Sequence, residues 1–355
     1  MDTTLGIVTS ARVPMQKADN LERAHLLVEM ARLAEQLKED SKAIRLYDDA
    51  LSQFSTDSLD PFLPEILRWK GSLLRDIGET ERAFRCYVIS LEKARLIASE
   101  PAQAHALNCL GTIAQRRGDH RETRRLYSEA AKLAKSAADS RLLGMIEQNR
   151  GVLASMHGDF EEATEFLSDS LSAFEQARDP EAISWVLNNL AILHTKNGHF
   201  DDAREYLARG LAIAVSRGDA SVENVITLNL ADVFMRLGEL EQADEWCTKA
   251  LSHARRREDH ITVAGALKIR AGIERQHGAL DTSIATLRLA IREVQGAEDP
   301  LLHAELLREL GEISRAAGNA GAARSAWREA VNSFQLVGAS QEVADLQAEI
   351  HLLAG

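Results

Sequence analysis

Asparagines recur at a fixed spacing in the middle of this chain. Asn149, Asn189 and Asn229 lie 40 residues apart, each two residues before a glycine or an alanine. An asparagine side chain both donates and accepts hydrogen bonds, so it can pair with the backbone of an extended peptide whatever that peptide's sequence. It can equally satisfy a neighbouring part of its own fold, or face water. The residue types leave both interpretations open.

Other polar side chains keep the same register. Amides also stand three residues before these small residues, and cations stand five residues after them. A row of amides could hold a peptide backbone, and the cations could bind a ligand carboxylate. The candidate ligand-binding residues are Asn108, Gln148, Asn149, Asn188, Asn189, Asn229, Arg116, Lys196 and Arg236.

The elements that position these residues follow from a repeat of 40 residues. Glycines fall at Gly78, Gly118, Gly158, Gly198, Gly238, Gly278 and Gly318. Seven residues before each of them is a small residue: Gly71, Gly111, Gly151, Ala191, Ala231, Ala271 and Gly311. Apolar residues recur at three- and four-residue spacing on both sides of each turn glycine, which predicts two amphipathic helices per repeat. The glycine ends the first helix in a left-handed conformation.

Two further segments extend the array at its ends. Residues 21–54 follow the pattern of an eighth, degenerate repeat, with Lys38 in place of the turn glycine. Near the other end Val343, Leu346, Ile350 and Leu353 form one apolar stripe, which predicts a helix that covers the last repeat. We therefore expect a flexible tail over residues 1–20, a repeat array over 21–338 and a capping helix over 339–355.

Composition agrees with an all-α protein. The 355 residues are 45% hydrophobic and 27% charged, with only 6 prolines and 5% aromatics. A net charge of −12 argues against attraction of the whole surface to nucleic acid or an anionic membrane, although a local basic patch is compatible with it. Three scattered cysteines, no signal peptide and no run of 18 apolar residues predict a soluble, cytoplasmic protein.

The repeat unit resembles the tetratricopeptide repeat (TPR). The resemblance lies in segments such as NCLGTIAQRRGDHRETRRLYSEAAKLA (residues 108–134) and NNLAILHTKNGHFDDAREYLARGLAIA (residues 188–214). A period of 40 residues rather than about 34 is similar to the long-repeat branch of kinesin light chains and bacterial peptide-sensing regulators. The resemblance implies an α-solenoid, a right-handed superhelix of about eight helix pairs. In this family the first helix of each repeat lines a concave groove, toward which the candidate residues would then point.

Catalytic and metal chemistry find little support in the residues. No HExxH, GxxxxGK[ST] or GxSxG motif is present, and Cys247, His253 and His260 match no compact metal-ligand spacing. Histidines that stand alone on helices, such as His105 and His194, are typical of packing or surface positions. We expect no enzyme activity, no cofactor and no metal.

Basic clusters also have a simpler explanation than nucleic-acid binding. Acidic residues interrupt the run RRGDHRETRR (residues 116–125), so solvated edges of the repeats explain it more simply. The leading hypothesis is therefore a scaffold that binds a peptide or protein segment in the groove. The alternative is a sensor module of a bacterial signalling or transcription-regulating protein, which changes shape when it binds a peptide or a partner. Neither the ligand nor the oligomeric state follows from the sequence.

Overall fold

The computed structural model describes residues 3–55, 57–295 and 299–353, with side chains from residue 19 onward. Within these residues it contains seventeen α-helices and no strand. The helices are α1 (Thr3–Gln36), α2 (Asp40–Leu51), α3 (Phe62–Asp76), α4 (Thr80–Leu96), α5 (Glu100–Arg116), α6 (His120–Ser136), α7 (Ser140–Met156), α8 (Phe160–Ala177), α9 (Pro180–Lys196), α10 (Phe200–Arg217), α11 (Ala220–Leu237), α12 (Leu240–Arg256), α13 (His260–Gln276), α14 (Leu280–Val294), α15 (Pro300–Ala316), α16 (Ala320–Leu336) and α17 (Ser340–Leu352). The predicted all-α repeat fold is confirmed.

The helices pair as the 40-residue repeat predicts. Each odd-numbered helix from α1 to α15 packs against the even-numbered helix that follows it, and we call these the first and second helices of a repeat. The seven turn glycines between them have φ angles from 72° to 86°, the left-handed region that ends a helix. Lys38, which replaces the glycine in the degenerate repeat, has φ 60°. The eighth repeat therefore turns in the same way as the other seven.

Where the small residue of a first helix is glycine, a large side chain of the second helix lies against it. A Cβ added at Gly71 would lie 2.6 Å from the Tyr87 ring, and one added at Gly111 would lie 2.5 Å from the Tyr127 ring. The equivalent partner of Gly311 is the fully buried Trp327. The missing side chain thus makes room for the aromatic ring that fills the core of the repeat.

Helix caps explain part of the acidic pattern at the turns. Asp119, Asp159 and Asn319 each accept a hydrogen bond from a backbone N–H in the first turn of the next helix. Glu79 and Glu239 occupy the same position but make no side-chain cap bond. Shorter side chains are the ones that reach the amides of their own helix.

The return turns, from a second helix to the next first helix, contain a feature that the sequence does not reveal. Ala98, Ala138, Arg178 and Glu258 have φ angles between 51° and 56°, although none of them is a glycine. Among the return turns that the structure describes, Gly218 and Gly338 bring a glycine to this position. In these residues the Cβ is held in the left-handed region, which is sterically unfavourable for residues other than glycine.

Two compact units divide the chain, Met1–Asp179 (unit 1) and Pro180–Gly355 (unit 2). In unit 1, α1 begins at Thr3, well before the expected start of the array at residue 21. In unit 2, α17 packs on α16 and buries Leu346, with Val343, Ile350 and Leu353 partly buried against the same core. The expected division into tail, array and cap stays a prediction, and its residues 1, 2, 354 and 355 lie outside the described residues.

Two glycine substitutions test the packing of the small residues. Gly111→Ala should lower the free energy of unfolding by about 1–3 kcal/mol, because the new methyl group overlaps the Tyr127 ring. Gly321→Ala is the matched control, since its Cβ would meet only Asn319 Oδ1 at 3.7 Å. It should stabilise α16 by about 0.5–1 kcal/mol through the lower entropy of alanine. Thermal melting of both variants measures the difference, and equal effects would contradict the packing argument.

Candidate peptide-binding face

Four of the predicted asparagines bond to one another across neighbouring repeats. Nδ2 of Asn149 donates to Oδ1 of Asn108 at 2.9 Å, and Nδ2 of Asn229 donates to Oδ1 of Asn188 at 2.7 Å. Each bond joins consecutive first helices, α7 to α5 in unit 1 and α11 to α9 in unit 2. The interpretation that an asparagine satisfies a neighbouring repeat therefore describes these four residues.

Two of these four asparagines are almost completely buried. The helical wheel turns Asn108 and Asn188 toward a ligand, whereas the structure leaves only 6% and 3% of their surface exposed. They stand three residues before the small residue of their repeat, whereas Asn149, Asn189 and Asn229 stand two residues before it. A shift of one residue rotates a side chain by about 100° around a helix. That rotation places them in the contact between repeats, and their role in ligand binding stays a prediction.

The other two predicted amides keep free hydrogen-bonding groups. Gln148 on α7 and Asn189 on α9 are half-buried and make no hydrogen bond to any residue that the structure describes. Their role in ligand binding stays a prediction.

The three predicted cations are exposed but differ in their contacts. Nη1 of Arg116 donates to the backbone O of Arg75 in the preceding repeat at 3.4 Å. Arg236 pairs with Asp232 on its own helix at 2.8 Å. Lys196 makes no ion pair within the described part of the chain. Of the three, Arg116 and Lys196 keep a charge that no carboxylate in the described chain neutralises.

A cluster around Trp69 was not predicted from the sequence. The guanidinium carbons of Arg32 on α1 and Arg68 on α3 each lie 5.5 Å from the centroid of the Trp69 ring. Phe62 meets the same ring edge-on at 5.8 Å, and His25 stacks on Phe62 at 3.9 Å. Two cations beside one indole form an aromatic site with positive charge on it.

Positive charge continues from this cluster along α3 and α5. Burial raises the pKa of the Cys109 thiol, and the positive charges of Arg68 and Arg75 oppose that rise, which places Cys109 near both. Arg75 pairs with Asp76 at 2.8 Å, and Arg116 contacts the backbone of Arg75. We call the surface formed by Arg32, Arg68, Trp69, Arg75 and Arg116 the basic face of unit 1.

Most of the charge on the basic face is not neutralised. Arg32, Arg68 and Arg116 make no ion pair with the residues that the structure describes. In unit 2 the first helices instead pair their charges, as in Lys268–Glu305 at 2.5 Å and Arg275–Glu312 at 4.0 Å. The basic face is therefore a local property of unit 1 in a chain of net charge −12.

His105 on α5 lies beside this face. Its pKa is lowered to about 4, mainly by burial and also by the positive charges of Arg68 and Arg141, while Asp139 opposes the shift. The imidazole is neutral at pH 7, so it adds a polar group to the face without adding charge.

Comparison with known proteins places the chain in a family. The model of the MalT-like TPR region matches residues 96–303. The chain belongs to this family. The comparison with curated protein sequences found no match.

Solved structures of other TPR proteins share the fold. A signal transduction ATPase with numerous domains (STAND) from Pyrococcus horikoshii, which carries a TPR sensor, is 16% identical with a TM-score of 0.64. The match covers 93% of this chain but only 48% of the chain of that protein. A Rap protein in complex with competence and sporulation factor is 14% identical with a TM-score of 0.57, over 96% of this chain and 98% of the other.

A third structure, a TPR protein from Parabacteroides merdae, is 19% identical with a TM-score of 0.56, over 80% of this chain and 98% of the other. At these identities the similarity shows the shared TPR fold. No helix in the described residues is long and apolar enough to cross a membrane.

Alanine substitutions test whether the asparagine–asparagine bonds between repeats stabilise the fold. Asn149→Ala and Asn229→Ala should each lower the free energy of unfolding by about 1–3 kcal/mol, since each leaves a buried amide oxygen without its donor. Asn189→Ala is the control and should change it by less than about 0.5 kcal/mol. Chemical denaturation of the three variants checks this. Equal stability of all three would show that the bonds between repeats contribute nothing.

Acid stability tests the burial of His105. Its pKa is about 4 in the folded chain, below the ordinary value of 6.5. Between these values the unfolded chain binds a proton that the folded chain does not, so stability falls as the pH is lowered from about 6.5 to 4. His105→Gln should therefore lose less melting temperature between pH 7 and pH 4.5 than the wild type. The exposed His277→Gln is the control, and identical losses in all three proteins would contradict the assignment.

Proposed function

We propose that this TPR array is a non-enzymatic regulatory module that binds an acidic peptide segment on the basic face of unit 1. One observation carries the proposal: the guanidinium groups of Arg32 and Arg68 both lie beside the Trp69 ring without a carboxylate partner in the described residues. Each guanidinium can form two parallel hydrogen bonds to one carboxylate.

The cluster also has an apolar component. The Trp69 ring is half-exposed, with Phe62 against its edge. An aromatic ring between two cations fits a peptide in which an apolar side chain is flanked by Asp or Glu. Arg75 and Arg116 would extend the charge contacts along α3 and α5, and the free amide of Gln148 on α7 would reach the peptide backbone. The proposal thus keeps Arg116 and Gln148 from the predicted set.

The comparisons support a regulatory role. The Rap protein was solved with competence and sporulation factor, and the STAND protein uses its TPR region as a sensor. A module of this kind binds a segment of another molecule and passes the change on, either to a partner or to another part of its own protein. The three free cysteines fit a cytoplasmic location, which is part of the proposal.

A charge reversal tests the basic face. The probe is a fluorescein-labelled pool of eight-residue peptides, each with one Leu or Phe among Asp and Glu residues. Arg68→Glu should lower the affinity of the full chain at least tenfold and reduce its dependence on salt, because carboxylate contacts become repulsive. Arg121→Glu is the matched control, since this exposed arginine on α6 lies outside the basic face. It should stay within about twofold of the wild type.

Trp69→Phe distinguishes the aromatic contact from the charges. It keeps the arginines and should therefore weaken binding less than Arg68→Glu does. The proposal is wrong if the acidic pool binds no better than a neutral pool, or if Arg68→Glu and Arg121→Glu have equal effects. Preferential binding of a fluorescein-labelled single-stranded RNA would equally contradict an acidic peptide as the ligand.

A further inference from the structure

Three potential metal ligands converge at one turn of unit 2. His194 lies in the last turn of α9, His199 is the residue before α10, and Asp202 lies in the first turn of α10. One ligand atom from each lies within 4.8 Å of the other two. Nδ1 of His194 is 3.3 Å from Oδ2 of Asp202, and the two imidazole rings have centroids 5.7 Å apart.

The other repeats show that this combination is not part of the fold. The residues equivalent to His194 are Leu74, Ala114, Ala154, Phe234, Glu274 and Ser314. Those equivalent to His199 are Glu79, Asp119, Asp159, Glu239, Ala279 and Asn319. A histidine therefore occurs at both positions only in this repeat.

His199 also replaces a residue that caps helices elsewhere. Asp119, Asp159 and Asn319 accept a backbone hydrogen bond at the equivalent position, whereas the side chain of His199 makes no cap bond. Losing such a cap costs about 0.5–2 kcal/mol. The imidazole of His199 therefore does not act as the cap of α10, as is also the case for Glu79, Glu239 and Ala279 at the equivalent position.

We propose that His194, His199 and Asp202 bind a divalent transition-metal ion, Zn²⁺ in the first place. Two nitrogen donors, one carboxylate oxygen and a water molecule form a ligand set that zinc accepts with tetrahedral geometry. Donors bound to such an ion at about 2.1 Å lie about 3.4 Å apart. The 3.3 Å between His194 and Asp202 already matches that spacing, so only His199 has to move closer.

The surroundings suit a bound ion. His194 is only 8% exposed, and the Tyr206 ring lies 5.2 Å from its imidazole. Arg204, the nearest cation on α10, pairs with Asp201 at 2.7 Å and with Glu239 at 3.3 Å, which leaves Asp202 to the histidines.

The site connects the end of α9 to the start of α10. Its proposal is independent of the proposed peptide-binding function. Sequence analysis treats His194 as a lone helical histidine, because its partner His199 lies beyond the turn. The spacing of five and then three residues becomes a ligand set only when the turn at Gly198 (φ 77°) folds the chain back.

Metal binding to the full chain tests the proposal. Equilibrium dialysis of the metal-free protein against Zn²⁺ alone should give one ion at this site, and Co²⁺ in its place should show the visible absorption of tetrahedral coordination. His199→Asn should lower the Zn²⁺ affinity at least tenfold. This variant should stay folded, since Asn319 caps α16 from the equivalent position. A rise of the melting temperature with Zn²⁺ should occur in the wild type and be absent in His199→Asn.

Two histidine variants are the controls. His277→Ala removes an exposed imidazole at the turn of another repeat. His157→Ala breaks the only other close histidine pair in the described residues, in which Nε2 of His157 lies 3.1 Å from Nδ1 of His120. Both controls should keep the affinity and the Co²⁺ spectrum of the wild type. Absence of binding to the wild type, undiminished binding to His199→Asn, or loss of binding in His157→Ala instead would overturn the proposal.

Discussion

The close approach of two helices within each repeat is the contact on which the rest of the structure depends. A first helix can receive a large side chain of its second helix only where its own side chain is absent or small. Where the small residue is glycine, the equivalent residue of the second helix is Tyr87, Tyr127, Leu167 or Trp327; where it is alanine, that residue is Leu207, Cys247 or Leu287. The aromatic side chains Tyr87, Tyr127 and Trp327 thus occur only opposite a glycine, where no Cβ limits the space.

This contact also explains why the fold could be predicted from the sequence and the binding face could not. A packing requirement that recurs in seven repeats places the same type of residue at the same position every 40 residues, which we call a column. The turn glycines and the paired helices therefore follow from residue types alone. Single residues carry no such signal. Arg32, Arg68 and Trp69 belong to two helices of different repeats, and nothing in their spacing indicates that the side chains meet.

The asparagines show that a polar residue recurring in several repeats has more than one explanation. A recurring polar residue indicates a repeated requirement, and in a solenoid that requirement can come from the next repeat as well as from a ligand. Asn149 and Asn229 are held by Asn108 and Asn188, whereas Asn189 stands in the same column without a bond in the described chain. The sequence does not distinguish these cases, because all three asparagines occupy the same position of their repeats.

A residue that differs from the residues at the same position of the other repeats therefore indicates function better than a residue that recurs. Residues that the fold needs recur in every repeat, whereas a residue that departs from its column and costs stability requires another reason to be there. Arg32 and Arg68 bring two like charges to one indole, which folding does not require. His199 takes the place of a helix cap and meets a second histidine that also occurs once. The proposed ligands match the chemistry of these two places: a carboxylate fits the cations of the basic face, and a metal cation fits the two imidazoles and the carboxylate at the α9–α10 turn.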